Sequence, residues 1–308
     1  MASSKLPQTS IIGNSSNFWL FNDNDGFDLT HPAAPHSTPI YPRLKLHTTN
    51  TPITVCPQKT ALIIIDMQNF FLSSALGKTR GAGHDAKDAL LAYGIPAARR
   101  ASVQIIWVTW GLTDEDLSTM PPAVFKAFSF RGAETEFEDA DPEIGAKRPE
   151  VKTENGLGSL LGDVKLEDGS EVEAGRILFR DQWNTALHGR LADAFEDGLK
   201  AQVPDVRFHK NRISALWESK SKLHDFLQER GIKTLMFTGV NTDQCVLGTV
   251  QDAGLKGYDT VLLRDGCGTK REYARKMVEF NCEKVWGFVS SCEELAESVK
   301  VRLDRGPE

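Results

Sequence analysis

The chain holds 308 residues, 40% of them hydrophobic and 25% charged, with a formal net charge of −6. No apolar run approaches the roughly 20 residues that cross a bilayer, the segment Met1 to Gln8 has no apolar signal core, and no basic cluster marks a nucleic-acid surface. Five cysteines without metal-type spacing fit a reducing compartment, so the expectation is a cytoplasmic globular protein with no membrane or nucleic-acid partner.

Residues 1–56 are rich in Ser, Asn, Pro and Thr around one aromatic cluster, Phe18 to Phe21. They are too polar for a core of their own and read as an arm packed across the domain or a neighbouring subunit. Asn22 to Gly26 hints at a calcium loop, but the register puts Phe21 and Pro32 at the first and closing ligand positions, so a polar turn is expected.

The run from Lys59 to Ile65 is continuously β-branched and aliphatic and stops at Asp66, as a buried parallel strand does where it leaves a sheet. Gly77 to Gly83 reads as a glycine-punctuated basic loop. Apolar positions at helical spacing over 85–101 and a second buried run over 103–109 complete a right-handed βαβ unit.

Residues 111–204 form a long insertion. It holds an acidic stretch from Glu134 to Lys152, a glycine run from Gly156 to Gly162 that lacks the strand and helix of a nucleotide loop, and a turn at Glu167 to Ser170. Residues 175–188 read as a strand and loop reaching over the pocket, with Trp183, Asn184 and His188 as a substrate clamp, Trp183 reading equally well as a core residue.

A short strand over 205–210 then ends in Lys210. Helices around 219–230, 244–256, 271–280 and from 291 alternate with strands at 233–239, 259–264 and 283–289, which predicts a parallel sheet covered on both faces. At Gly239 an apolar run breaks, and Cys245 falls in the first turn of the helix that follows. There, helix N–H groups and the helix dipole favour a thiolate, while a buried inert thiol is the competing reading.

Three segments then carry a resemblance: IIIDMQN at 63–69, KNRISAL at 210–216 and GVNTDQCV at 239–246, in that order. They resemble the signature segments of the isochorismatase-like cysteine hydrolases, which include nicotinamidases, ureidoacrylate and N-carbamoylsarcosine amidohydrolases and isochorismatases, over roughly residues 57–300, leaving 301–308 as a tail. The resemblance implies an α/β, Rossmann-like, mainly parallel six-stranded sheet. It implies Asp66, Lys210 and Cys245 as a catalytic triad, a cis peptide at Val240–Asn241, and an oxyanion hole from the N–H groups of Asn241 and Cys245. Members of the family commonly form dimers or tetramers, so a homodimer or homotetramer is expected.

Two departures matter. Trp110 to Asp116 contains no histidine where nicotinamidases resemble one another in a metal site, so no metal or other cofactor is expected. Phe70 also stands where the family pattern has an Asp. Gln68 and Asn69 are candidates to orient Asp66, Asp243 to cap the Cys245 helix, and Cys267 to pack. Phe71, Trp110, Trp183, Asn184 and Trp217 are the candidate contacts to a small-molecule substrate. A nucleophilic cysteine favours hydrolysis of a C–N bond in a small amide or ureide. The alternatives are vinyl-ether hydrolysis of isochorismate with Asp66 as acid, and an idle binding or scaffold protein of the same fold.

Overall fold

The computed structural model describes residues 9–128 and 156–307; the acidic stretch Glu134 to Lys152 lies outside them. Six strands make one wholly parallel sheet: β1 (Thr60–Ile65), β2 (Gln104–Trp110), β3 (Val206–Lys210), β4 (Thr234–Val240), β5 (Asp259–Gly268) and β6 (Phe288–Ser290). Their order is β3-β2-β1-β4-β5-β6. Every residue of β1, β2 and β4 is buried, which explains why these strands read as unbroken apolar runs rather than alternating ones. Between β1 and β4 the strand order reverses, and in open α/β sheets that reversal leaves a crevice at the carboxyl ends of the strands.

Helices cover both faces. On one, the helices at Lys222–Glu229, Leu247–Leu255 and Glu272–Asn281 bury Leu227, Val250 and Val278 against Ile63, Ile65 and Phe237. On the other, Leu90, Ile95, Leu191 and Leu295 close over Leu62, Ile64 and Met236. The expected strand at 283–289 is mostly helical: Cys282–Trp286 prolongs the preceding helix and only Phe288–Ser290 is strand. Val278, Cys282 and Trp286 recur every fourth residue, a helical stripe that packs on the first core, and this spacing prevails over the β-type composition.

The N-terminal residues are more ordered than an arm. Strands at Ser10–Gly13, Phe18–Asn22, Gly26–Leu29, Arg43–Leu46 and Ile53–Val55 form a second sheet, completed by Leu303–Asp304 from the expected tail, which pairs antiparallel with Arg43 and Leu44. Its polar composition gives it no separate core. Leu29, Leu44, Leu46, Ile53 and Val55 are fully buried, and they share the second face's cluster with Leu62 and Ile64.

The described parts of the insertion lie across the carboxyl edge of the main sheet. A small hairpin, Asp163–Lys165 with Glu171–Glu173, turns over Leu166 to Ser170. In place of a strand over 175–188 the chain makes tight turns, with Leu178 and Asp181 at φ of 59° and 56°. Single bridges join Leu112 to Phe179 and Gln68 to Leu187. A helix at Arg190–Gly198 then leads into β3.

Candidate active site

Each element at the crevice delivers one side chain. The chain leaves β1 through Asp66, whose φ of +55° is a left-handed conformation an aspartate adopts at a cost in energy. β3 ends on Lys210. β4 ends at Gly239 and Val240, the Val240–Asn241 peptide is cis, and one wide π-helical turn, Thr242–Val246, carries Cys245 into the helix behind it. Gly239 sits at φ +118°, and a Cβ there would lie 2.0 Å from the Ile65 carbonyl oxygen. Its lack of a side chain lets β4 approach β1 closely enough to set the Cys245 turn beside Asp66.

The three side chains meet. Lys210 Nζ is 3.1 Å from Asp66 Oδ2 and 3.3 Å from Cys245 Sγ, and it also donates to the carbonyls of Arg212 and Ile213 at 3.0 and 3.2 Å. All three residues are buried, with 0%, 5% and 3% of Asp66, Lys210 and Cys245 exposed. Lys210 Nζ lies 3.7 Å from the centre of the Trp110 ring, which is its direct cross-strand neighbour in the β3–β2 register. Trp110 is fully buried and packs edge-on against Phe128 with ring centres 5.0 Å apart; Phe128 in turn meets Phe70 at 6.3 Å. The face over the triad is therefore apolar and aromatic.

The electrostatics differ from the sequence expectation in one respect. A helix start and a lysine were expected to lower the Cys245 pKa, whereas burial pushes the thiol up to about 12, and the Asp66 charge adds to the rise against the opposing pull of Lys210. Burial also raises the Asp66 carboxyl, opposed chiefly by the Lys210 charge. The resting state that follows is a neutral thiol beside the Asp66–Lys210 ion pair.

The remaining expected residues are used otherwise. The Gln68 side chain does not bond the Asp66 carboxylate: its Nε2 donates to the carbonyls of Trp110 and Thr185, each at 2.9 Å, and its Oε1 accepts from the Trp110 N–H at 2.9 Å. Asn69 donates to the Trp183 carbonyl at 2.9 Å and lies 3.0 Å from His188 Nδ1. These two side chains stitch the insertion onto β1 and β2. Asn184 is fully buried and spends its amide on backbone, accepting from the Leu178 N–H and donating to the carbonyls of Ala174 and Arg176. It braces the loop rather than clamping a ligand, because none of its hydrogen-bonding capacity points outward. Trp183 and Phe71 are half-buried, and Phe71 wedges against both core clusters. Trp217 is 46% exposed, its indole N–H bonded to Asn211 and its ring under Arg212. Asp243 does not cap the Cys245 helix but accepts from the Thr269 hydroxyl at 2.5 Å. Cys267 is buried, with its thiol on the Phe237 carbonyl. Among the described residues no three His, Cys, Asp or Glu side chains converge as a metal site requires.

With this geometry in hand, the comparisons with known proteins fall into place. The isochorismatase domain family matches residues 165–293, a segment that holds Lys210 and Cys245. The chain is 28% identical over 246 residues to the ureidoacrylate amidohydrolase RutB of Caulobacter segnis, covering 78% of this chain and 85% of that protein, and 27% identical over 253 residues to its counterpart in Enterobacter sp. strain 638, covering 80% and 92%. Among solved structures it resembles a cysteine hydrolase from Pseudomonas syringae pv. phaseolicola (TM-score 0.54, 17% identity, 85% of this chain and 99% of that one). It also resembles an isochorismatase family protein from Desulfovibrio vulgaris (TM-score 0.51, 18% identity, 79% and 98%), and at these identities the likeness bears on the fold alone. The chain is thus similar to the isochorismatase domain family over residues 165–293 and to ureidoacrylate amidohydrolases over most of its length, and it shares the fold of the two hydrolase-family structures.

Proposed function

We propose that the protein is a cysteine-dependent hydrolase that cleaves a C–N bond of a small amide or ureide through a thioester. The observation that carries this reading is the position of the Lys210 ammonium, 3.3 Å from Cys245 Sγ and 3.1 Å from Asp66 Oδ2, in a site closed to bulk water. The ureidoacrylate amidohydrolases among its relatives support the same bond class.

In this reaction Asp66 takes the thiol proton as Cys245 Sγ attacks the substrate carbonyl carbon, with Lys210 balancing the charge on sulfur. The tetrahedral oxyanion is held by the N–H groups of Asn241 and Cys245, each such donor being worth about 3 kcal/mol. Collapse breaks the C–N bond, and Asp66 returns its proton to the departing ammonia or amine. Water deprotonated by Asp66 then splits the thioester, releasing the acid and restoring the thiol.

The test is ammonia release and product mass from a panel of small amides, ureides and isochorismate, with the wild type beside Cys245→Ala. Ammonia from an amide or ureide, abolished in the variant, supports the reading. Pyruvate from isochorismate that survives in the variant overturns it.

A further inference from the structure

We propose a second ligand site, at the opposite edge of the main sheet from Cys245, that takes a neutral planar heterocycle of nucleobase size. A crevice of about 250 Å3 opens where the N-terminal sheet meets the residues leading into β6. One wall is aromatic: the rings of Trp19, Phe27 and Phe288 lie 5.4–5.9 Å apart, centre to centre, in tilted or edge-to-face pairs.

That wall is fixed in place. The Trp19 indole N–H donates to Asp259 Oδ1 at 2.7 Å, and the same carboxylate, 2% exposed, accepts from the Thr234 hydroxyl at 2.8 Å and lies 2.7 Å from His31 Nε2. A tryptophan tethered through its only polar atom cannot swing in to fill the space, so the crevice is preformed, as small-molecule sites usually are. The rim opposite is polar. Thr49 donates to Glu283 Oε1, and among the described residues neither the Asn50 side-chain amide nor the Lys284 ammonium has a hydrogen bond or ion pair. Glu283 and Lys284 bring one charge of each sign, which favours a neutral ligand. A flat ring stacked on the aromatic wall turns its donor edge to Glu283 and its acceptor edge to Asn50 and Lys284. The proposal does not depend on the chemistry at Cys245.

Adenine and uracil serve as probes, by equilibrium dialysis and by the rise in melting temperature that a native-state ligand produces. Wild type and Cys245→Ala are expected to bind at least one of the two equally well. Thr51→Phe, which fills the crevice from the rim, should weaken binding at least tenfold with unchanged circular dichroism, and Asn50→Ala should weaken it if the phenylalanine variant fails to fold. Absence of binding of both probes at millimolar concentration, undiminished binding in the rim variants, or loss of binding in Cys245→Ala overturns the proposal.

Discussion

The Lys210 ammonium rests on the face of the Trp110 ring, 3.7 Å from its centre, and the two residues are register partners on adjacent strands. The indole thus helps hold the cation between Asp66 and Cys245. Trp110→Phe keeps an aromatic face of lower electron density and should reduce kcat about tenfold with the fold intact, a contact of this kind being worth about 1–2 kcal/mol when desolvated. Trp110→Leu removes the face and should cost more; steady-state kinetics on the pair measure the difference.

Because burial and Asp66 together push the Cys245 thiol up to about 12, its alkylation should be slower than that of free cysteine near pH 8 and should still be rising at the top of the accessible range. Asp66→Asn removes the negative charge beside the thiol. It should therefore lower the thiol pKa and speed iodoacetamide labelling while lowering hydrolysis by roughly a thousandfold or more, as loss of one member of a concerted set does. Labelling rates against pH for the two proteins check both halves.

Gly239→Ala should unfold the switch point. The added carbon would meet the Ile65 carbonyl oxygen at 2.0 Å, at a φ of +118° that L-residues rarely adopt. A loss of more than about 3 kcal/mol in urea unfolding is expected, from backbone strain and overpacking together.

Asn184→Ala strips hydrogen-bond partners from the Leu178 N–H and from the carbonyls of Ala174 and Arg176. At about 1–3 kcal/mol for each buried group left unsatisfied, the local loss should exceed 2 kcal/mol. Limited proteolysis should then cut between 174 and 187 in the variant before the wild type.

His188, deprived of solvent and facing Lys87 and His84, has its pKa lowered from 6.5 to about 4. A folded-state pKa below the unfolded one means that its stabilising contribution is present above pH 6.5 and is lost as pH falls towards 4. Screening by the water that reaches the ring limits this to about 1 kcal/mol. His188→Gln should flatten the acid limb of stability in that window, measured by urea unfolding at successive pH values.

How much of this could be read from sequence depends on where each signal resides. Asp66 closes an apolar run, Lys210 ends a short strand and Cys245 follows the break of another run at Gly239, so their shared place at the carboxyl ends of strands is visible locally, and the βα alternation predicts the sheet. Trp110 was visible as a residue but not as the seat of Lys210, because that contact depends on strand register. The thiol's electrostatics were misjudged in sign, since a helix start and a lysine appear in the sequence while complete burial does not. Asn184 looked like a ligand contact because a polar residue between two tight turns resembles one, and only the backbone geometry shows its amide consumed. The meeting of Trp19, His31 and Thr234 on Asp259 joins four distant positions and leaves no local trace.

Arg43 and Leu44 find their strand partners at Asp304 and Leu303, nearly the whole chain later. During synthesis, then, one edge of the N-terminal sheet stays open until residues 303–304 leave the ribosome, after the main sheet has its strands. An exposed strand edge of that kind invites pairing with another chain. Nascent chains stalled before residue 303 should therefore be the aggregating species, and the closing strand acts as a clasp that joins segments about 260 residues apart in sequence.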